Sequence, residues 1–278
     1  MKAQNLTISV PCDKCDKDCP YCISTITWTP DSNTKLMSSN LPKVKRTANQ
    51  SGVTNVLITS KKEPFMNYGK MLWLCGHFKD YWLEIQTNGR HLNKHAEECT
   101  RDLHRNGVNV VAFSIDKLSD IDKYAGTFTT LAKYGIITRI CINLTRMITK
   151  SYGFYSIMEK IAQYKDGNGI PLIRQVLFRN INYPSTAFEG HKAVRWINDN
   201  VSKNHNNTLF EQMKRADLKK IRTIPHTGTV IYSYKSVSVC FSDYCLQESN
   251  KTEDIRSLIF QSDGHLYTSW DDPASILG

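Results

Sequence analysis

The chain has 278 residues, 40% of them hydrophobic and 22% charged, which suits one large domain, or a domain with an appendage, closed by its own core. That composition excludes a disordered or fibrous chain, and no run of about 18 apolar residues is present to span a membrane as a helix. The formal charge of +10 admits an anionic substrate or a nucleic-acid partner.

In chain order, Leu6–Val10 reads as a first strand. Asn55–Thr59, Trp82–Gln86, Val108–Ser114, Ile137–Leu144 and Gln175–Phe178 read as five more. Each is short, rich in Val, Ile or Leu, and lacks clean alternation with polar residues, which predicts strands covered on both faces. Between them, Asn67–Phe78 sets Met71, Leu72, Cys75 and Phe78 at helical spacing. Leu92–Asn106 and Ile121–Tyr134 follow as helices, each ending at a glycine that favours a left-handed stop. Tyr152–Tyr164 is a further helix. This alternation predicts an α/β fold of parallel strands joined by crossover helices. Past Pro184 the pattern changes. His191–Ser202 and Thr208–Leu218 look helical, and Thr229–Tyr234 and Val237–Phe241 look like strands joined near Lys235. Leu258–Gln261 and Leu266–Thr268 flank Asp263-Gly264, a hairpin signal. The C-terminal stretch therefore reads as a small antiparallel addition.

The N-terminus, Met1 to Val10, is polar and short for a signal peptide, so a cytoplasmic chain is expected. In a reducing compartment its nine cysteines are ligands or buried thiols rather than disulfides. Cys12, Cys15, Cys19 and Cys22 crowd into one short segment directly after the first strand. Thiolates this close suit zinc or an iron–sulfur cluster. The spacing departs from the ferredoxin run and lacks the long loop between the two pairs of a zinc finger. Cys75, Cys99 and Cys141 lie in predicted helices or a strand and read as buried thiols.

Taken without Cys12, the segment reads Cys15-x3-Cys19-x2-Cys22 with aromatic Tyr21 before the last cysteine. In this it resembles the radical S-adenosylmethionine (SAM) superfamily. The resemblance implies a partial (β/α)6 TIM-like barrel over residues 1–184, and a C-terminal α+β extension, residues 185–278, closing the mouth. It also implies a [4Fe-4S] cluster on Cys15, Cys19 and Cys22, with one iron left open for SAM. Cys12 is then a neighbouring free thiol. The cluster falls at the C-terminal end of the first strand, the face where β/α barrels place their chemistry.

Further elements accompany the motif. After the second strand come Lys61-Lys62-Glu63-Pro64, where the resembled family has Gly-Gly-Glu-Pro. Glu63 and Pro64 persist and both glycines are lysines. The third strand runs into Thr87-Asn88-Gly89, which is also common there. Ser114 and Asp116 near the end of the fourth strand, and Arg139 and Asn143 on the fifth, are polar groups in buried strands and need partners. By resemblance, Ser114 and Asn143 contact SAM, Arg139 clamps a carboxylate through its planar fork, and Arg179 with Asn180 reaches adenine or substrate.

Toward the C-terminus, Cys240 and Cys245 alone fall short of the four ligands of a second cluster. Arg256, His265 and Trp270 sit in a hairpin that reads first as a structural cap and second as a substrate lid, with His226 a looser candidate. The resemblance implies reductive SAM cleavage and an electron-donating partner such as flavodoxin or ferredoxin; the positive charge leans toward a nucleotide-like or nucleic-acid substrate, with a peptide the nearest alternative. The basic residues are spread out, with one modest cluster at Lys214, Arg215, Lys219, Lys220 and Arg222. The alternative is a zinc-stabilised basic nucleic-acid-binding module without catalysis.

Overall fold

The computed structural model describes residues 2–184, 187–216, 218–224, 229–242 and 255–277. Its strands are β1 (Ala3–Ser9), β2 (Asn55–Thr59), β3 (Trp82–Thr87), β4 (Val108–Ile115), β5 (Ile137–Asn143), β6 (Ile173–Arg179), β7 (Lys219–Thr223), β8 (Val230–Tyr234), β9 (Val237–Ser242), β10 (Ile255–Phe260) and β11 (Leu266–Tyr267). The helices are α1 (Thr34–Gln50), α2 (Tyr68–His77), α3 (Arg90–Lys94), α4 (Ala96–Arg105), α5 (Ser119–Lys123), α6 (Ala125–Lys133), α7 (Arg146–Ser151), α8 (Phe154–Ala162), α9 (Lys192–Asn200) and α10 (Lys203–Arg215).

All the strands form one sheet in the order β11-β10-β1-β2-β3-β4-β5-β6-β9-β8-β7. From β10 through β1–β6 to β9 every neighbouring pair is parallel. Residues of β1, β2, β3, β6, β9 and β10 line one shared cavity, so the sheet curls on itself. The fold is the expected mixed α/β architecture, consistent with a partial TIM-like barrel.

Outward-facing residues in register, such as Ile8 with Ile58 and Ile58 with Ile85, join the buried core shared with the helices. The inward set is different in kind. Ala112 pairs with Arg139, and Arg139 with Gln175, and Asn5, Thr7 and Gln86 line the inner cavity. The period is two, but the inner positions carry small and polar groups that a cavity can solvate.

Three features differ from the sequence reading. Helix α1 fills a stretch where no element was expected. Asn33 caps it, accepting from the Leu36 amide at 3.0 Å, and Met37, Leu41, Val44 and Ala48 form its buried stripe despite Pro42 inside. The predicted 92–106 and 121–134 helices each break in two, at His95 and at Tyr124. The C-terminal stretch is not simply antiparallel. β10 and β9 extend the parallel sheet at its two edges, and only β11, β8 and β7 add antiparallel neighbours. Both expected left-handed glycine stops are present, Gly107 at φ +77° and Gly135 at φ +72°.

Candidate cluster and cofactor site

The cysteine segment follows β1 and is tied down mainly through its backbone. Ser60 Oγ donates to the Val10 carbonyl at 2.9 Å, and Asn67 Nδ2 to that of Pro11 at 2.7 Å. Asn88 Nδ2 reaches Asp16 Oδ1 at 2.6 Å, and Arg90 donates to the Asp16 carbonyl. Lys17 forms an ion pair with Asp116 at the end of β4, and the Tyr21 hydroxyl donates to the same carboxylate. Asn143 Nδ2 completes that network, 3.0 Å from both Tyr21 Oη and Asp116 Oδ1. Burial works against the Asp116 charge, but Lys17, Tyr21 and Asn143 hold its carboxyl below the usual range. Tyr21 also packs its ring on Trp196 of α9, with centroids 5.3 Å apart.

A cavity of roughly 530 Å³ opens beside this segment. Cys15, Cys19 and Cys22 line it together with Glu63, Pro64, Ser114, Asn143 and Arg179. Cys12 does not line it; its Sγ lies 3.2 Å from the carbonyl oxygens of both Lys14 and Glu63, which share its single S–H. Arg139 is also elsewhere, its guanidinium bonded to Gln175 Oε1 at 2.7 Å and paired with Glu84 inside the sheet.

Glu63 interlocks two of the sequence elements. Thr87 Oγ1 donates to its Oε1 at 2.6 Å and the Asn88 amide to its Oε2 at 2.8 Å. It is buried to 3% exposure, and that burial pushes its carboxyl up to about 7 against the pull of these bonds. Gly89 sits at φ +82°, where a Cβ would fall 2.6 Å from Phe113. This position needs glycine on both counts.

Three residues of the site carried no functional reading in the sequence. Lys17 left no signal. Asp116 was visible only as a neighbour of Ser114 at a strand end. Lys61 did have a signal, because it stands where the resembled motif has glycine. Its ammonium is buried, donating to Thr27 Oγ1 and to the Trp270 carbonyl, both at 3.0 Å. Desolvation lowers it to about 8.

A second, inner cavity of roughly 360 Å³ adjoins the first, sharing Thr59, Ser60, Lys61, Gln86 and Arg179 with it. Arg256 and Trp270 line it, whereas His265 does not. Cys75, Cys99 and Cys141 are buried, and Cys240 on β9 has its thiol pushed up to about 11 by burial. Cys245 and His226 lie outside the described residues. Lys214 and Arg215 end α10, and Lys219, Lys220 and Arg222 stand on the exposed strand β7, away from both cavities.

The donor set fits a thiolate-bound cluster with a vacant corner. Three soft donors line a cavity, and the fourth cysteine of the segment is engaged by two carbonyls. Such a site keeps an open position for a ligand. Burial raises the Cys15 and Cys19 thiols, the latter to about 11, so metal binding there must displace protons. Among the described residues no three His, Cys, Asp or Glu side chains stand close enough to hold a single metal ion.

No protein-family profile and no curated protein matches the chain. Solved structures do. SuiB of Streptococcus suis bound to S-adenosylmethionine aligns with a TM-score of 0.58 at 15% identity, over 96% of this chain and 60% of SuiB. SuiB bound to its precursor peptide SuiA aligns at 0.60 and 14%, over 96% and 59%. Native anSMEcpe with bound AdoMet aligns at 0.54 and 16%, over 99% and 77%. The chain thus spans about 60% of the length of SuiB, and what it shares with these SAM-bound proteins is their fold.

Proposed function

We propose that this chain is a radical SAM enzyme: a [4Fe-4S] cluster on Cys15, Cys19 and Cys22 would supply the electron that splits SAM into methionine and a 5′-deoxyadenosyl radical, which takes hydrogen from the substrate. The observation that carries this is the division of labour among four cysteines. Three share the cavity and one is tied to backbone carbonyls, in a fold shared with SAM-bound structures.

The chain's own residues bind, orient and exclude water. Glu63 braces the turn after β2 against Thr87 and Asn88, holding the backbone at Glu63-Pro64 in place for the amino group of SAM. Asn143 spends its amide nitrogen on Tyr21 and Asp116, which leaves its carbonyl oxygen for SAM. Ser114 and Arg179 line the same cavity and complete the contact set. Arg139, bound to Glu84 and Gln175, is not part of it. Residues 1–184 form the core of the site, and residues 185–278 close its mouth through Trp196, Trp270 and the flanking strands. The precursor peptide on SuiB supports a peptide substrate here, and a flavodoxin- or ferredoxin-type protein is the fitting electron donor.

Anaerobic reconstitution with iron and sulfide tests this reading. Brown protein should release 5′-deoxyadenosine from SAM under dithionite. Cys15→Ala, Cys19→Ala and Cys22→Ala should each lose iron and cleavage, whereas Cys12→Ala keeps both. Colourless protein holding one zinc that Cys12→Ala removes would overturn it, leaving the zinc-stabilised nucleic-acid-binding module.

A further inference from the structure

Lys61 is a buried ammonium at the junction of the two cavities. A lysine head carries three donors. Two of them meet neutral oxygens, those of Thr27 and Trp270, and the Trp270 ring lies 5.1 Å beneath the charge. No carboxylate among the described residues pairs with it. Asp271 acts on it only at longer range and accepts instead from Ser269 Oγ at 2.6 Å. Burying a cation without a countercharge is costly. The site tolerates that cost at a position that lines two adjoining cavities, where a ligand can supply the missing charge. Together with Lys61, Arg179, Arg256 and Asp271 line the inner cavity. Its volume, roughly 360 Å³, lies at the small end of ordinary ligand pockets.

We infer that the inner cavity is a substrate compartment and that Lys61 is its anion anchor, so that the substrate brings a carboxylate or phosphate group to the ammonium. This rests on the radical SAM reading for what happens next, but not for the binding itself. Lys61 also holds the Trp270 carbonyl, so an anion on its third donor engages the same group that ties the C-terminal segment over the cavity.

The test uses the full chain with and without reconstituted cluster, and matched probes: N-acetyl-glutamate against N-acetyl-glutamine, and N-acetyl-phosphoserine against N-acetyl-serine. Binding is read by calorimetry, and Lys61 by protection from an amine-labelling reagent, located by mass spectrometry. At least one anionic probe should bind roughly tenfold or more tightly than its neutral partner and protect Lys61. Lys61→Met should abolish the preference and Lys61→Arg retain most of it. Wild-type protection alone decides the matter should Lys61→Met fail to fold. Equal affinity within both pairs, no binding by any probe, or a preference that survives Lys61→Met overturns the inference. So does competition by SAM that itself protects Lys61, because the anion seated there is then the carboxylate of SAM. A preference that persists in protein unable to cleave SAM leaves the anchor standing and removes only the radical SAM reading.

Discussion

Glu63 shows how a single side chain couples the site to stability. In the unfolded chain its carboxyl ionises near 4.5, whereas burial in the folded state raises it to about 7. A carboxyl raised on folding contributes stability that is complete below the unfolded value and is lost as pH climbs through the folded one. At about 1.4 kcal/mol per unit, the loss approaches roughly 3 kcal/mol. Glu63→Gln cannot ionise, so its denaturant midpoint should stay flat between about pH 5 and 7 while the wild type declines. It should also sit lower on the acid side, by about 1–3 kcal/mol, because one amide oxygen cannot accept both bonds that Thr87 and Asn88 donate. Arg139 makes a contrasting case. Its polarity inside a buried strand was legible, and it does have partners, but they are Glu84 and Gln175. Arg139→Met should cost about 3 kcal/mol in a denaturant melt by stranding Glu84, and leave SAM affinity unchanged.

At the scale of elements, the turn after β10 clasps the start of α1. Asn40 Nδ2 donates to the Gly264 carbonyl at 2.8 Å, and the Asn33 amide to that of Ser262 at 2.9 Å. Gly264 sits at φ +90°, and a Cβ there would lie 2.5 Å from the Met37 nitrogen. Gly264→Ala should therefore destabilise the protein by about 2–4 kcal/mol, read as a drop in Tm. The Asp263-Gly264 turn was legible from sequence because its chemistry is local. The helix it grips was not. Pro42 and the Ser38-Ser39-Asn40 run argue against a helix locally, and only packing of Met37, Leu41, Val44 and Ala48 on the sheet outweighs them. The breaks at His95 and Tyr124 were hidden for the converse reason, because the apolar spacing continues across them.

The whole molecule depends on a pairing between its ends. β10 lies parallel to β1, with Leu258 beside Leu6 and Phe260 beside Ile8, all four fully buried. Removing residues 255–278 uncovers the edge of β1, the strand that leads into the cysteine segment. Such a truncation should lose its cooperative thermal transition by circular dichroism, even though every predicted barrel strand and the thiols of Cys15, Cys19 and Cys22 remain. A sharp melt retained by the truncated chain would show that the core from β1 to β6 is self-sufficient.

Local chemistry in the sequence alone determined the six parallel strands, the glycine stops, the hairpin and the spacing of Cys15, Cys19 and Cys22, because each depends on residues within a few positions of one another. Tertiary structure alone decided that Lys17 and Tyr21 meet on Asp116, that Lys61 is buried with no paired carboxylate among the described residues, and that β10 pairs with β1. Those outcomes depend on groups far apart in sequence sharing one low-dielectric space, and burial rather than residue type sets their partners and their charge.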